Sequence, residues 1–301
     1  MAAWLVLTAL RRPATSGMGW PVALLDLAAL VAVPLVLRAL PPSRPGPARA
    51  WAVAVLLQPP AALLLAATSA IAAGGWALAG ALPWIGVTAL LALYGVARVW
   101  TRRGGPAWAL AVDAGLVFVA VGGGWTALHR LGVRPIGFSP VIVLLTAVHF
   151  HFAGLLLPVA TGLAGARTRG WMARAAAWGV IIGVPLTAVG ITATQRALPP
   201  WIEASAVIVT VVGGWMAALL HLRLAARGGV RPVVRALWMV AGLSLAAGMT
   251  LALLYGVRVY RPVPLLTIPW MQAVHGSLNA LGFGVAAMLG WALASPDDGG
   301  G

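Results

Sequence analysis

The sequence predicts an all-α fold: a polytopic bundle of about nine transmembrane helices, with the N-terminus outside and the C-terminus cytoplasmic. Three observations predict it. Of 301 residues, 61% are hydrophobic and only 8% charged, against about 25% charged in soluble chains. Apolar stretches of roughly 20 residues, the length that crosses a bilayer, recur along the whole chain. All twenty basic residues are Arg, and they gather between those stretches or at their ends.

The elements follow in order. The first ten residues, MAAWLVLTAL, are apolar, but Arg11 and Arg12 follow them instead of preceding them. The run is too short for a cleavable signal peptide and is expected to lie at the membrane interface. The spans are 20–40, 50–73, 76–100, 106–129, 138–164, 171–196, 201–225, 233–259 and 267–294, in one transmembrane domain of residues 1–301. Pro59 and Pro60 interrupt the second, and Gly74–Gly75 separate it from the third. Proline is tolerated in a spanning helix when neighbours satisfy the freed carbonyls. The tail SPDDGGG is a solvated end.

Orientation comes from Arg placement. The connections after spans one, three, five and seven hold thirteen arginines: Arg38, Arg44, Arg49; Arg98, Arg102, Arg103; Arg167, Arg169, Arg174; Arg223, Arg227, Arg231, Arg235. The other side holds the remaining seven, and the richer side is expected to be cytoplasmic. The net charge of +15 is therefore read as topology-setting charge, with no nucleic-acid partner. Arg without Lys and abundant Ala fit the coding bias of a GC-rich bacterial genome. The expected location is the bacterial cytoplasmic membrane, with the lipid bilayer as partner. Seven tryptophans near span ends (Trp20, Trp76, Trp100, Trp171, Trp201, Trp270, Trp291) read as interface anchors. GGW occurs at 74–76, 123–125 and 213–215. An inverted repeat is conceivable, but small residues at helix contacts explain it more simply.

There is no cysteine, which removes disulfides, thiolate ligands and thiol catalysis. The sequence offers no phosphate-binding Gly loop, no HExxH and no Ser–His–Asp set. What it does offer is polar residues at membrane depth, each a functional candidate by default. His149 and His151 have nothing charged within ten residues on either side and fall near the middle of span five. Asp26 is roughly 9 Å and His275 roughly 12 Å in from the outer ends of spans one and nine, with Asn279 a turn deeper. Glu203 stands at the outer mouth of span seven, where it doubles as a first-turn acid favoured by the helix dipole. Asp113 has the same first-turn explanation and reads as structural. His129 and His221, beside Arg130 and Arg223, read as interfacial.

Gln272, His275, Asn279 and Gly282 recur at i, i+3, i+7 and i+10, one polar stripe on a helical face. Such a stripe must face protein or water. His149 and His151, two residues apart, point about 200° apart on a regular helix. They cannot share one metal unless the helix is distorted, so one would face a cavity and the other bond a neighbour. The expected site is thus His149, His151, His275, Asn279, Asp26 and Glu203 in the outer half of the bilayer. The bland alternative is that each histidine simply bridges two helices.

From HFHFAG onward the sequence has a more specific likeness. The stretches RPIGFSPVIVLLTAVHFHFAGLLLPVATG (134–162) and HGSLNALGFG (275–284) resemble the YndJ-like family of bacterial membrane proteins. PLVLRALPP (34–42) and ALPWIGVTALLALYG (81–95) are similar in kind. The resemblance implies a multi-pass bacterial membrane protein and carries over no reaction.

Three functions remain open. The first is a membrane-embedded enzyme or cofactor site. His149, His151 and His275 would then be the metal ligands, with a transition metal or haem as cofactor, or the same residues would do acid–base chemistry on a lipid-like small molecule. The second is a proton-coupled transporter, although few polar groups line the cytoplasmic half. The third is a non-catalytic partner or sensor protein.

Overall fold

A computed structural model of the chain describes residues 1–10, 18–40 and 48–294. Arg11, Arg12, Arg44 and the SPDDGGG tail lie outside the described residues. Among those described, the chain is helical and has no strand. A short helix, α1 (Ala2–Leu10), precedes nine helices long and apolar enough to span a membrane. These are α2 (Gly19–Ala39), α3 (Ala48–Thr68), α4 (Gly75–Arg102), α5 (Ala107–Leu131), α6 (Pro140–Thr168), α7 (Gly170–Gln195), α8 (Trp201–Ala225), α9 (Pro232–Gly256) and α10 (Ile268–Leu293). All nine expected spans are present. The largest difference is at the end of α3, which stops at Thr68 where 73 was expected. There the Ser69 hydroxyl donates to the Ala66 carbonyl and the chain turns. At Gly74 it passes through φ +152°, a conformation only glycine adopts easily.

The chain groups into two compact units: Met1–Arg103 with Gly115–Leu155, and Gly104–Ala114 with Leu156–Gly301. In the first, α1 is tied to α2 by the Trp4 indole N–H, which donates to the Ala23 carbonyl at 2.7 Å. The helices α3 and α4 pack side by side, with Trp51 against Tyr94. Arg130, at the end of α5, is buried and donates to the Thr68 and Ala77 carbonyls, so it clamps the α3–α4 turn. Both prolines of α3 stay within a continuous helix, and the neighbouring Gln58 amide donates to the Ala29 carbonyl of α2 at 2.7 Å.

In the second unit, α8 packs between α7 and α9. Glycine permits the closest approach. A Cβ on Gly213 would fall 2.6 Å from the Gly179 carbonyl carbon, so backbone meets backbone there. The Thr210 hydroxyl donates to the Gly183 carbonyl of α7 at 2.7 Å. Where α6 meets the first residues of α5, Gly162 and Gly165 lie under Trp108.

Outward faces carry exposed Leu and Val, including Leu56, Leu93 and Leu243, as surfaces in contact with lipid must. Of the expected interface tryptophans, Trp76, Trp100, Trp171 and Trp201 are exposed. Trp291 is buried and has a different role, described below. The GGW tripeptides do three different things. The first begins α4, Gly123 in the second packs on the Thr88 side chain, and the third holds the Gly179 contact.

Candidate functional site

Three of the nine spanning helices, and no others among the described residues, open into a wider π-helical turn. In α2 it covers Ala28–Ala32, two residues after Asp26. In α6 it covers Phe150–Leu156 and begins between His149 and His151. In α10 it covers Leu278–Val285 and includes Asn279, one turn after His275. A π-turn replaces i→i+4 bonds by i→i+5; it is rare and occurs frequently at functional sites. The helix distortion considered for the histidine pair of α6 is therefore present. Five of the six expected site residues lie in or within a few residues of these turns.

Asp26, His149 and His151 belong to the first unit; Glu203, His275 and Asn279 belong to the second. In the first unit, His151 is completely buried. Its Nδ1 lies 2.8 Å from the Ala147 carbonyl one turn earlier, and its Nε2 accepts the Trp84 indole N–H at 3.1 Å. A carbonyl can only accept and an indole N–H can only donate. The ring is therefore the neutral Nδ1–H tautomer, with both nitrogens used. Gly122 of α5 leaves room for it, since a Cβ there would sit 2.8 Å from His151 Nδ1. His149 is half-buried and stands edge-on to the Phe150 ring. Asp26 is buried and interacts electrostatically with Arg130.

In the second unit, His275 and Asn279 come together. His275 Nδ1 lies 2.9 Å from the Gly248 carbonyl of α9, which again fixes the Nδ1–H tautomer. The Asn279 amide nitrogen donates to the His275 carbonyl at 3.0 Å and lies 3.2 Å from His275 Nε2, the ring nitrogen left as acceptor. The carbonyl contact fixes which end of the amide is nitrogen. Asn279 Oδ1 is then buried with no hydrogen-bond donor. Gly248 is needed at this spot, because a Cβ would fall 2.7 Å from the Asn279 amide. Ser244 lies against Gly282, the next residue of the stripe. Glu203 is engaged elsewhere: it accepts from Arg258 at 2.9 Å and from the Thr194 hydroxyl at 2.8 Å.

Of the two histidines read at first as interfacial, His129 is half-buried and His221 is buried. Arg130, beside His129, is the clamp already described. His221 is fully buried, its Nδ1 2.9 Å from the Ala217 carbonyl and its Nε2 accepting the Trp291 indole N–H at 3.2 Å. Trp84, a tryptophan at membrane depth, was the available signal for the His151 bond, since a buried indole N–H needs an acceptor; Trp291 stands near a span end and gave no such signal. Among the described residues, no three His, Cys, Asp or Glu side chains stand together as a metal-holding group.

Nine apolar spans with polar residues at depth define a multi-pass α-helical membrane protein. Residues 23–283 match the family described as YndJ-like protein, and the chain belongs to that family. It is 30% identical over 235 residues to the uncharacterized membrane protein YndJ of Bacillus subtilis (strain 168), a match covering 75% of this chain and 40% of the relative. The chain thus spans less than half the length of that relative. No solved structure matches it.

Proposed function

We propose that the protein performs acid–base chemistry inside the bacterial cytoplasmic membrane on a lipid-like molecule bearing a hydroxyl group. The carrying observation is the coincidence of the three π-turns with the polar residues of α2, α6 and α10. His275 is the proton acceptor in this reading. Its Nδ1–H is held by Gly248, so its basic lone pair is on Nε2, the arrangement by which a partner on one ring nitrogen orients the other for proton transfer. Asn279 Oδ1 offers an acceptor beside it for a substrate O–H. His149 is the second candidate for proton transfer, in the other unit. Asp26, a buried carboxylate of the first unit, is a further candidate there, while His151 and Glu203 hold structure. The site belongs to the outer half of the bilayer if the Arg-rich connections face the cytoplasm.

Proton chemistry is favoured over a metal or haem by the donors. His151 cannot ligate without giving up one of its two hydrogen bonds. That leaves His149 and His275, one in each unit, as imidazole ligands.

The test has two parts. Membranes from cells producing the protein, its His275→Ala and its His149→Ala variants are extracted and their lipids profiled by mass spectrometry. A lipid species altered by the wild type and restored by His275→Ala, with the variant still folded, is the expected result. Metal analysis and an absorption spectrum on the purified protein are the second part. Stoichiometric metal or a haem band that disappears in the two variants would replace the acid–base reading with a metalloprotein.

A further inference from the structure

The connection from α9 to α10, residues 257–267, leaves α9 in one further turn. The Tyr260 and Arg261 backbone N–H groups both donate to the Val257 carbonyl, at 2.9 and 3.0 Å. The chain then reverses at Val263–Leu266, where the Leu266 N–H donates to the Val263 carbonyl at 3.3 Å. Pro264 holds the first corner at a φ of about −65°, and Leu265 takes the second at φ +75°. Proline at the first corner with positive φ at the second defines a type II turn, in which the second corner favours glycine. Here it is a leucine, strained in its backbone and 80% exposed. Glycine would fit this corner better and would leave no apolar side chain at the tip. A strained residue of this kind persists only where its surroundings hold it.

The Arg258–Glu203 ion pair ties this connection to the first turn of α8. The α7–α8 connection therefore lies at the same end of the second unit. Together this end exposes Leu198, Trp201, Val259, Tyr260 and Leu265. A patch of that kind marks a contact with protein or membrane. Its chemistry favours the membrane. Residues 257–267 include Arg258 and Arg261 and no acid, which suits the anionic phosphates of a leaflet surface. Trp201 and Tyr260 are the residue types whose rings settle at headgroup level. Leu265 stands three residues before Ile268, where the spanning helix α10 starts, so it lies within about 11 Å of that start.

We propose that the α9–α10 connection is a membrane anchor. The tip of its turn, Leu265, inserts below the headgroups of the adjoining leaflet of an anionic bilayer, with Tyr260 and Trp201 at headgroup level. The leaflet in this way holds the first turn of α10, the helix that carries His275 and Asn279.

The chain has no cysteine, so Leu265→Cys takes a single nitroxide label on the full protein. In nanodiscs of phosphatidylethanolamine and phosphatidylglycerol, its collisions with oxygen and with a water-soluble nickel chelate report depth. Gly228→Cys, in the α8–α9 connection where the chain is exposed, is the control. At 265 the chelate is expected to collide roughly tenfold less often than at 228, and oxygen more often, as for a probe about 5–10 Å below the headgroup boundary. Tyr260→Cys is expected to fall between them. Equal chelate collisions at 265 and 228 would overturn the insertion. Few collisions with either reagent at 265 would overturn it in favour of a protein contact, such as a second copy of the chain. Hydrogen exchange in the same nanodiscs tests the anchoring. Leu265→Gly relieves the turn, yet it is expected to speed exchange of the first α10 amides several-fold by removing the anchor. Slower exchange would mean that strain relief is all the substitution does, and that the leaflet holds nothing through this residue.

Discussion

His151 of the first unit and His221 of the second are held in the same way. Each is fully buried, each turns Nδ1–H back to the carbonyl one turn earlier, and each accepts an indole N–H on Nε2. The order along the chain is reversed: Trp84 precedes His151 by 67 residues, while Trp291 follows His221 by 70. His149 and His275 differ from both. They are half-buried, and His275 presents its Nε2 to a side-chain amide whose oxygen is still without a donor. The comparison teaches that depth in the membrane does not decide how a histidine is held. What differs is the partner on Nε2: a buried indole N–H at His151 and His221, a side-chain amide at His275.

The largest effect tests the helix packing inside each unit. Gly213 and Gly123 stand in the same tripeptide, but a Cβ at 213 meets the Gly179 backbone and one at 123 meets the Thr88 side chain. Backbone cannot rotate away, whereas a side chain can. Gly213→Ala should cost about 3 kcal/mol, and Gly123→Ala about 1 kcal/mol, the scale of one displaced rotamer. Reversible unfolding in detergent measures both. Equal costs would mean that the α7–α8 contact is looser than its geometry.

Next come the histidines. His151→Ala and His221→Ala each leave a cavity and an indole N–H with no acceptor, at a cost of about 2–4 kcal/mol. His149→Ala should cost under about 1 kcal/mol, since its ring is only half-buried. A large loss at His149 with none at His151 would reverse the assignment of roles within α6. Smaller again is Glu203→Gln. The Arg258 side chain is 24% exposed, so its charge is partly solvated once unpaired. Between the limits for surface and buried pairs, the cost is about 1 kcal/mol. Arg258→Gln measured beside it should give a similar figure if the pair is worth no more than that.

Much of this architecture was legible in the sequence because the bilayer imposes a length on every span. That constraint placed nine helices, and it did so without any knowledge of packing. The polar stripe of span nine was legible for a related reason: residues three and four apart share a face, and His275 and Asn279 do touch. The two histidines of α6 were not separable, because a spacing of two says only that they diverge. Which one is buried depends on Trp84, 67 residues away. The π-turns have no composition of their own, so no reading of residues finds them. Glu203 was ambiguous because an acid in a first turn looks the same with or without an arginine 55 residues later.

The smallest effect is the sharpest test of the paired histidines. Trp84→Phe and Trp291→Phe keep an aromatic ring and remove only the N–H. Side-chain hydrogen bonds within membranes average about 0.6 kcal/mol and reach about 1.7, so each substitution should cost near the lower figure. The two bonds share no partner, and their costs should add in the double variant. Equivalent costs would make the two ties functionally interchangeable despite their opposite order in the chain. A cost at Trp291 alone would separate them for a physical reason. Trp291 also supports the Arg167 guanidinium, and phenylalanine is the weaker cation partner. The excess would then vanish on an Arg167→Gln background, which has no cation left over the ring, and the hydrogen bonds themselves would again be equal.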